Sequence, residues 1–189
     1  SRREAPLIVG VPKETAAGER RVALVPDAAK ALAAKGIELL VEAGAGAEAG
    51  FTDEAYVKAG ATLASDRNAL IARAEVIARV QGPRAVAGAA HEVDALRAGQ
   101  TLIGALRPLD QPELAARLAE RRVTAFALEL MPRITRAQSM DILSSMATIA
   151  GSFGYSSGLP LPSSDTVCPI ARSASAMARM VAGESNSSY

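Results

Sequence analysis

The stretch Pro132-Arg133-Ile134-Thr135-Arg136-Ala137-Gln138-Ser139-Met140-Asp141-Ile142-Leu143-Ser144-Ser145 holds the densest set of groups able to do chemistry. On a helix, Gln138, Asp141 and Ser145 stand at i, i+3 and i+7 and share one face, with Ser144 close beside them. An amide, a carboxylate and two hydroxyls offer donors and acceptors together, which is the complement of a polar carboxamide or a sugar. The same residues have a purely structural use. Thr135 and Gln138 complete a capping box at the start of that helix, and Asp141 suits a solvated surface. On spacing alone the two readings are even.

Three further features invite a functional reading, and each has a plainer one. Arg20 and Arg21, in Gly18-Glu19-Arg20-Arg21-Val22-Ala23-Leu24, put two guanidinium groups on a loop. Their planar forks suit carboxylates or phosphates, but a solvated pair or an ion pair with Glu14 or Glu19 is the favoured reading. Gly44-Ala45-Gly46-Ala47-Glu48-Ala49 matches the G-x-G-x-x-A pattern by which backbone approaches a pyrophosphate at a helix N-terminus. No convincing helix follows before Thr52, and Asp66, the nearest acid at the right distance, sits among helix and loop signals. A tight turn is the expected role. His91 has no partner at catalytic spacing and is expected on the surface. Ser-His-Asp order, HExxH and P-loop motifs are all lacking.

Composition narrows the field further. A chain of 189 residues predicts one domain with an appendage, and 49% apolar residues are enough for a sizeable core. With three Phe, three Tyr and no Trp, the core must be built from Leu, Ile and Val among many alanines. A net charge of +1 leaves no electrostatic footprint for nucleic acid or an anionic membrane. The one cysteine, Cys168, excludes an internal disulfide and a cysteine-based zinc cluster, so a reducing cytoplasmic setting and no metal are expected. The leading residues lack a signal-peptide core. Ile142 to Ser164 is free of charge but too rich in Ser, Gly and Pro to span a bilayer.

The elements that must position these residues follow from periodicity and punctuation. Short apolar runs at Leu7–Val11, Ile37–Glu42, Glu75–Val80, Thr101–Leu106 and Val123–Leu128 predict five strands. Helices are expected from Pro26 to a stop at Gly36, from Thr52 to Ala59-Gly60, and from Asp66 to Arg73. A further one should start at a capping box formed by Asp110 and Glu113, and the last at Thr135, running to about Ile149. Apolar strands alternating with helices predict a doubly wound, mostly parallel α/β domain, Rossmann-like or flavodoxin-like. Ligands of such sheets sit beyond the carboxyl ends of the strands, where the loops bearing Arg21 and Arg133 should share one rim. From residue 152 to 189, ten serines and three prolines predict an irregular, poorly ordered tail, with periodicity only around Ala171 to Val181.

Taken together, Val11-Pro12-Lys13-Glu14, Gly18-Glu19-Arg20-Arg21-Val22-Ala23-Leu24-Val25-Pro26, Glu42-Ala43-Gly44-Ala45-Gly46 and Phe51-Thr52-Asp53 resemble the alanine dehydrogenase and transhydrogenase alpha-subunit superfamily. Met131 to Gly151 resembles specifically the transhydrogenase alpha subunits. The resemblance covers about residues 7 to 151. It implies an N-terminal domain at 6–151, followed in the family by a Rossmann domain that residues 152–189 do not match. It further implies hydride transfer between NAD(H) and NADP(H) coupled to proton translocation, with NAD(H) in a cleft between the two domains. Arg133, Gln138, Asp141 and Ser144 would position the nicotinamide and its ribose, and no general acid or base would be required. The implied partners are a second copy, an NADP(H)-binding component and a membrane-spanning component, with this chain on the inner membrane face through them. Without the glycine fingerprint, the chain alone is expected to be inactive.

Alanine dehydrogenase is the rival within the resemblance. Arg21 matches its carboxylate-binding arginine, but its Lys-Val-Lys-Glu-Pro stretch, home of the substrate-binding lysine, meets Arg79-Val80-Gln81-Gly82-Pro83. Its catalytic histidine would fall near Leu106-Arg107-Pro108, which holds none. A third alternative, from another class, is a truncated, non-catalytic remnant that only dimerises or binds a partner.

Overall fold

The computed structural model describes residues 6–84 and 91–130. Six strands form one sheet: β1 (Ile8–Val11), β2 (Glu38–Glu42), β3 (Thr62–Ala64), β4 (Val76–Gln81), β5 (Thr101–Ala105) and β6 (Thr124–Ala127). Their order is β3-β2-β1-β4-β5-β6, and all pairs run parallel. Four helices connect them: α1 (Pro26–Ala33), α2 (Asp53–Lys58), α3 (Arg67–Arg73) and α4 (Pro112–Glu120). This is the doubly wound architecture. The strand order reverses between β1 and β4, so the switch point, where ligands of such sheets bind, lies between their carboxyl ends.

Alternation along each strand builds two cores. Leu39 and Val41 of β2, with Val76, Ala78 and Val80 of β4, face Leu32 of α1 and Tyr56 of α2. Leu40 and Ile77 point the other way, joining Leu70 of α3 and Leu114 and Leu118 of α4. Both faces are covered, which is why the strands read as apolar runs. Tyr56 is fully buried and its hydroxyl donates to the Leu24 carbonyl at 2.8 Å, tying α2 to the loop after β1. Close packing explains Gly10, where a Cβ would come within 2.7 Å of both Ala74 Cβ and Leu70 Cδ2.

Three sequence expectations are corrected. A sixth strand, β3, stands at the sheet edge; three residues are too few for a periodicity signal. Asp110 does not cap α4. Gln111 occupies that position without a side-chain cap, and Asp110 instead pairs with Arg107 at 3.2 Å. Nor is β4 apolar throughout, since Arg79 lies inside it at 5% exposure. The helix expected from Thr135 and the serine-rich tail lie outside the described residues. Among the described residues no helix is long and apolar enough to cross a membrane.

Candidate functional site

The loop after β1 and the end of β4 meet at the switch point, and a carboxylate from this chain fills the space between them. Glu14 accepts from the backbone N–H of Val80 at 2.7 Å and of Gln81 at 3.4 Å. Burial raises the Glu14 carboxyl above its ordinary value, against the pull of Arg79 and of those N–H groups. A ligand here has no access to these strand-end amides and must lie further out on the rim.

On that outer rim stand Glu19, Arg21 and Gln81. Arg21 donates from Nε to Glu19 Oε1 at 2.7 Å and from Nη2 to Oε2 at 2.6 Å, a two-pronged ion pair within one loop. Gln81 adds its amide to Glu19 at 2.9 Å. The Arg21 bonds, aided by Gln81 and opposed by burial, hold the Glu19 carboxyl down to about 2. The expected ion pair of Arg21 with Glu19 is the one observed; Glu14 pairs instead with Arg79, at 3.7 Å. Because the folded value of Glu19 is depressed, its stabilising contribution is present above the ordinary carboxylate value and lost as pH falls towards about 2. Glu19→Gln should therefore flatten the acid limb of stability between about pH 4.5 and 2, measured by urea unfolding across that window.

Behind the rim lies a network that local periodicity does not reveal. The Glu92 carboxylate accepts from Arg79 Nη1 at 2.7 Å, Arg67 Nη1 at 2.5 Å, Thr15 Oγ1 at 3.0 Å and the Arg84 backbone N–H at 2.9 Å. Burial disfavours the Glu92 anion, yet Arg79, Arg84 N–H and the Thr15 hydroxyl hold its carboxyl below the ordinary value. One carboxylate thus joins the loop after β1, α3, β4 and Arg84. Arg67 also reaches Glu42 at 3.3 Å and the Lys13 carbonyl, so the ends of β1 and β2 belong to the same network. A buried arginine on a strand followed by a lone glutamate is the only trace of this in the sequence. His91 accepts from Val93 N–H through Nδ1 at 3.2 Å, starting the short helical turn Glu92–Ala95.

The glycine-rich turn has a structural use for each glycine. Gly44 adopts φ +74°, and its N–H points at both oxygens of the Asp53 carboxylate, at 2.9 and 3.1 Å. The donor that a pyrophosphate would need is already taken. A Cβ on Gly46 would stand 2.7 Å from Tyr56 Cε2 and 2.9 Å from the Phe51 carbonyl oxygen. Gly46→Ala should then cost about 1–3 kcal/mol by overpacking, visible as a lower melting temperature. A phosphate-binding turn would instead show unchanged melting and weaker dinucleotide binding. Asp66 caps α3, accepting from Ala69 N–H at 2.9 Å, and takes no part in a ribose site.

Arg107, also on this edge of the sheet, has φ +49°. Its backbone N–H and that of Leu106 are held by the Glu129 carboxylate, and its side chain lies with Asp110. Arg133, Gln138, Asp141 and Ser144 lie outside the described residues, as does Ser145. The last described element, Leu128–Leu130, follows β6 and leads towards that stretch from the carboxyl edge. Among the described residues no cluster could hold a metal ion.

A six-stranded parallel sheet with helices on both faces, its carboxyl edge lined by internally neutralised charges, defines a doubly wound α/β domain. Residues 10–150 match the family described as alanine dehydrogenase/PNT, N-terminal domain, and the chain belongs to that family. It is 43% identical over 143 residues to the NAD(P) transhydrogenase subunit alpha of Cereibacter sphaeroides, covering 76% of this chain and 26% of that one. It is 36% identical over 145 residues to the alanine dehydrogenase of Bacillus subtilis, covering 77% and 36% respectively. The solved transhydrogenase from Sinorhizobium meliloti superposes with a TM-score of 0.69 at 38% identity, covering 82% of this chain and 45% of that one. The chain thus spans less than half the length of these relatives.

Proposed function

We propose that this chain is the N-terminal domain of the NAD(H)-binding alpha subunit of a proton-translocating NAD(P) transhydrogenase, residues 6–151 forming the domain. One observation carries the choice over amino-acid oxidation: the rim lacks the groups that reaction needs, at the positions where they would fall. In the stretch matching the lysine motif, Arg79 is buried and spent on Glu92 and Glu14, while the Gln81 amide is spent on Glu19. Where the histidine would fall, Arg107 stands, and a guanidinium neither gives nor takes a proton at neutral pH.

Hydride transfer between two nicotinamides needs no general acid or base, and the protein's contribution is then orientation, which can supply several kcal/mol. The described rim fits the uncharged end of a dinucleotide better than its pyrophosphate, because Arg21 is already neutralised by Glu19 and the Gly44 N–H by Asp53. In this reading Arg133, Gln138, Asp141 and Ser144 hold the carboxamide and ribose, and a following Rossmann domain holds the phosphates. NADP(H) belongs to a partner component, and a membrane-spanning component and a second copy of this chain complete the assembly on the inner membrane face.

The test mixes this chain with a separately supplied dinucleotide-binding domain and the NADP(H)-binding component. Hydride transfer from NADH to an NADP analogue, with no reductive amination of pyruvate, is the expected result. Pyruvate turnover would establish the amino-acid dehydrogenase instead. Absence of both activities would favour a non-catalytic remnant.

A further inference from the structure

At the outer rim one carboxylate is saturated by its neighbours. Glu19 Oε1 accepts from the Arg21 backbone N–H at 3.1 Å and from Arg21 Nε at 2.7 Å. Its Oε2 accepts from Arg21 Nη2 at 2.6 Å and from Gln81 Nε2 at 2.9 Å. Two donors on each oxygen fill the acceptor sites of a carboxylate. The Glu19 side chain is 8% exposed against 40% for Arg21, so the carboxylate is tucked inside the rim while the guanidinium faces solvent. The backbone holds it there, because the Glu19 N–H closes a turn on the Ala16 carbonyl at 3.0 Å. Deeper in, Glu14 of the same loop takes the Val80 and Gln81 N–H groups. Gln81 thus gives both its backbone and its side-chain donors to carboxylates of the loop after β1.

We propose that Glu19 is the selectivity element of this rim: it engages Arg21 as a ligand carboxylate would, and the neutral Gln81 helps to keep it there, so that the rim turns carboxylates away and admits uncharged polar groups such as a carboxamide. An arginine fork grips a planar anion through two parallel bonds, and Glu19 already has that grip. An incoming carboxylate must displace an anion that is fully hydrogen-bonded or stand beside it as a like charge. The same bonds hold the Glu19 carboxyl down to about 2, so no pH near neutrality relieves the repulsion. A carboxamide brings no charge to repel. Gln81→Lys would change the balance, since an ammonium would draw Glu19 away from Arg21 and add a positive charge. The ligand class agrees with the nicotinamide reading above but rests on the rim's own bonds. The probes below carry no nicotinamide, so the two readings can fail separately.

Titration calorimetry of the full chain at neutral pH tests this with malonate and with its uncharged diamide, malonamide. Glu19→Gln keeps the shape of the side chain and loses its charge; it should bind malonate about ten- to a hundredfold more tightly than wild type. Gln81→Lys leaves Glu19 and Arg21 in place and should gain about tenfold, which keeps the test open if Glu19→Gln does not fold. Adding Arg21→Gln to either variant should abolish the gain. Glu48→Gln controls for net charge: Glu48 lies 3.8 Å from Arg20 with both side chains exposed, and its loss should leave malonate binding unchanged. Malonamide should bind every variant alike. Wild type binding malonate as tightly as Glu19→Gln would overturn the proposal. So would a gain that survives Arg21→Gln, or an equal gain in Glu48→Gln.

Discussion

Replacing Glu92 with alanine should lower the melting temperature by about 6 to 20 °C, the largest loss expected from any single charged side chain among the described residues. Arg79 is 5% exposed within β4 and its Nε has no acceptor among the described residues. With Glu92 gone, its remaining anionic neighbour is Glu14 at 3.7 Å, too far for a good hydrogen bond. Breaking a buried pair by removing one partner costs about 3–5 kcal/mol, because an uncompensated charge stays buried. For a chain of this size each kcal/mol shifts the midpoint by about 2–4 °C. Loss of the Thr15, Arg67 and Arg84 contacts also frees the loop after β1, so the outer rim should loosen before the sheet does. Thermal unfolding followed by circular dichroism measures the first effect. The double variant Arg79→Met with Glu92→Leu should be less destabilised than the sum of its parts. A melting temperature within about 2 °C of wild type for Glu92→Ala would show that the network contributes little.

That network also marks the limit of what local sequence patterns reveal. Proline and glycine punctuation placed α1 between Pro26 and the turn at Gly36, whose φ is +75°. Asp66 was legible as a cap and Thr52 as the start of a helix, and each accepts from the N–H three residues on. The doubly wound class followed from apolar runs alternating with helices. The pairing of Arg79 with Glu92 spans 13 residues, and no periodicity reports such a contact. Asp110 misled because a capping-box spacing does not choose between the helix and a neighbouring cation; Arg107, adopting φ +49°, lies three residues away. The short edge strand β3 takes its partner from β2, and nothing in Thr62-Leu63-Ala64 alone announces it. At the site, the same logic holds. Arg21 and the glycine turn could be read with their plainer roles stated, whereas Glu14 filling the switch point needed the fold.

The second large effect follows from the proposed function, in which this domain is joined to a dinucleotide-binding one, and concerns Gln138. Gln138→Asn should slow hydride transfer roughly a hundredfold while leaving NADH affinity and melting temperature nearly unchanged. Shortening the side chain by one methylene retracts the amide by about 1.5 Å, and a displacement of order 1 Å is enough for such a loss when orientation is the whole of catalysis. The capping-box role of the same residue makes the opposite demand: a stability loss of up to about 1 kcal/mol with chemistry untouched. The most direct measurement is the single-turnover rate of hydride transfer from NADH in Gln138→Asn, taken beside the variant's melting temperature. A slow rate at unchanged melting is the result predicted for a chain that orients the nicotinamide. A wild-type rate in a destabilised protein would leave Gln138 as a helix cap and contradict the assignment of this domain to the hydride-transfer site.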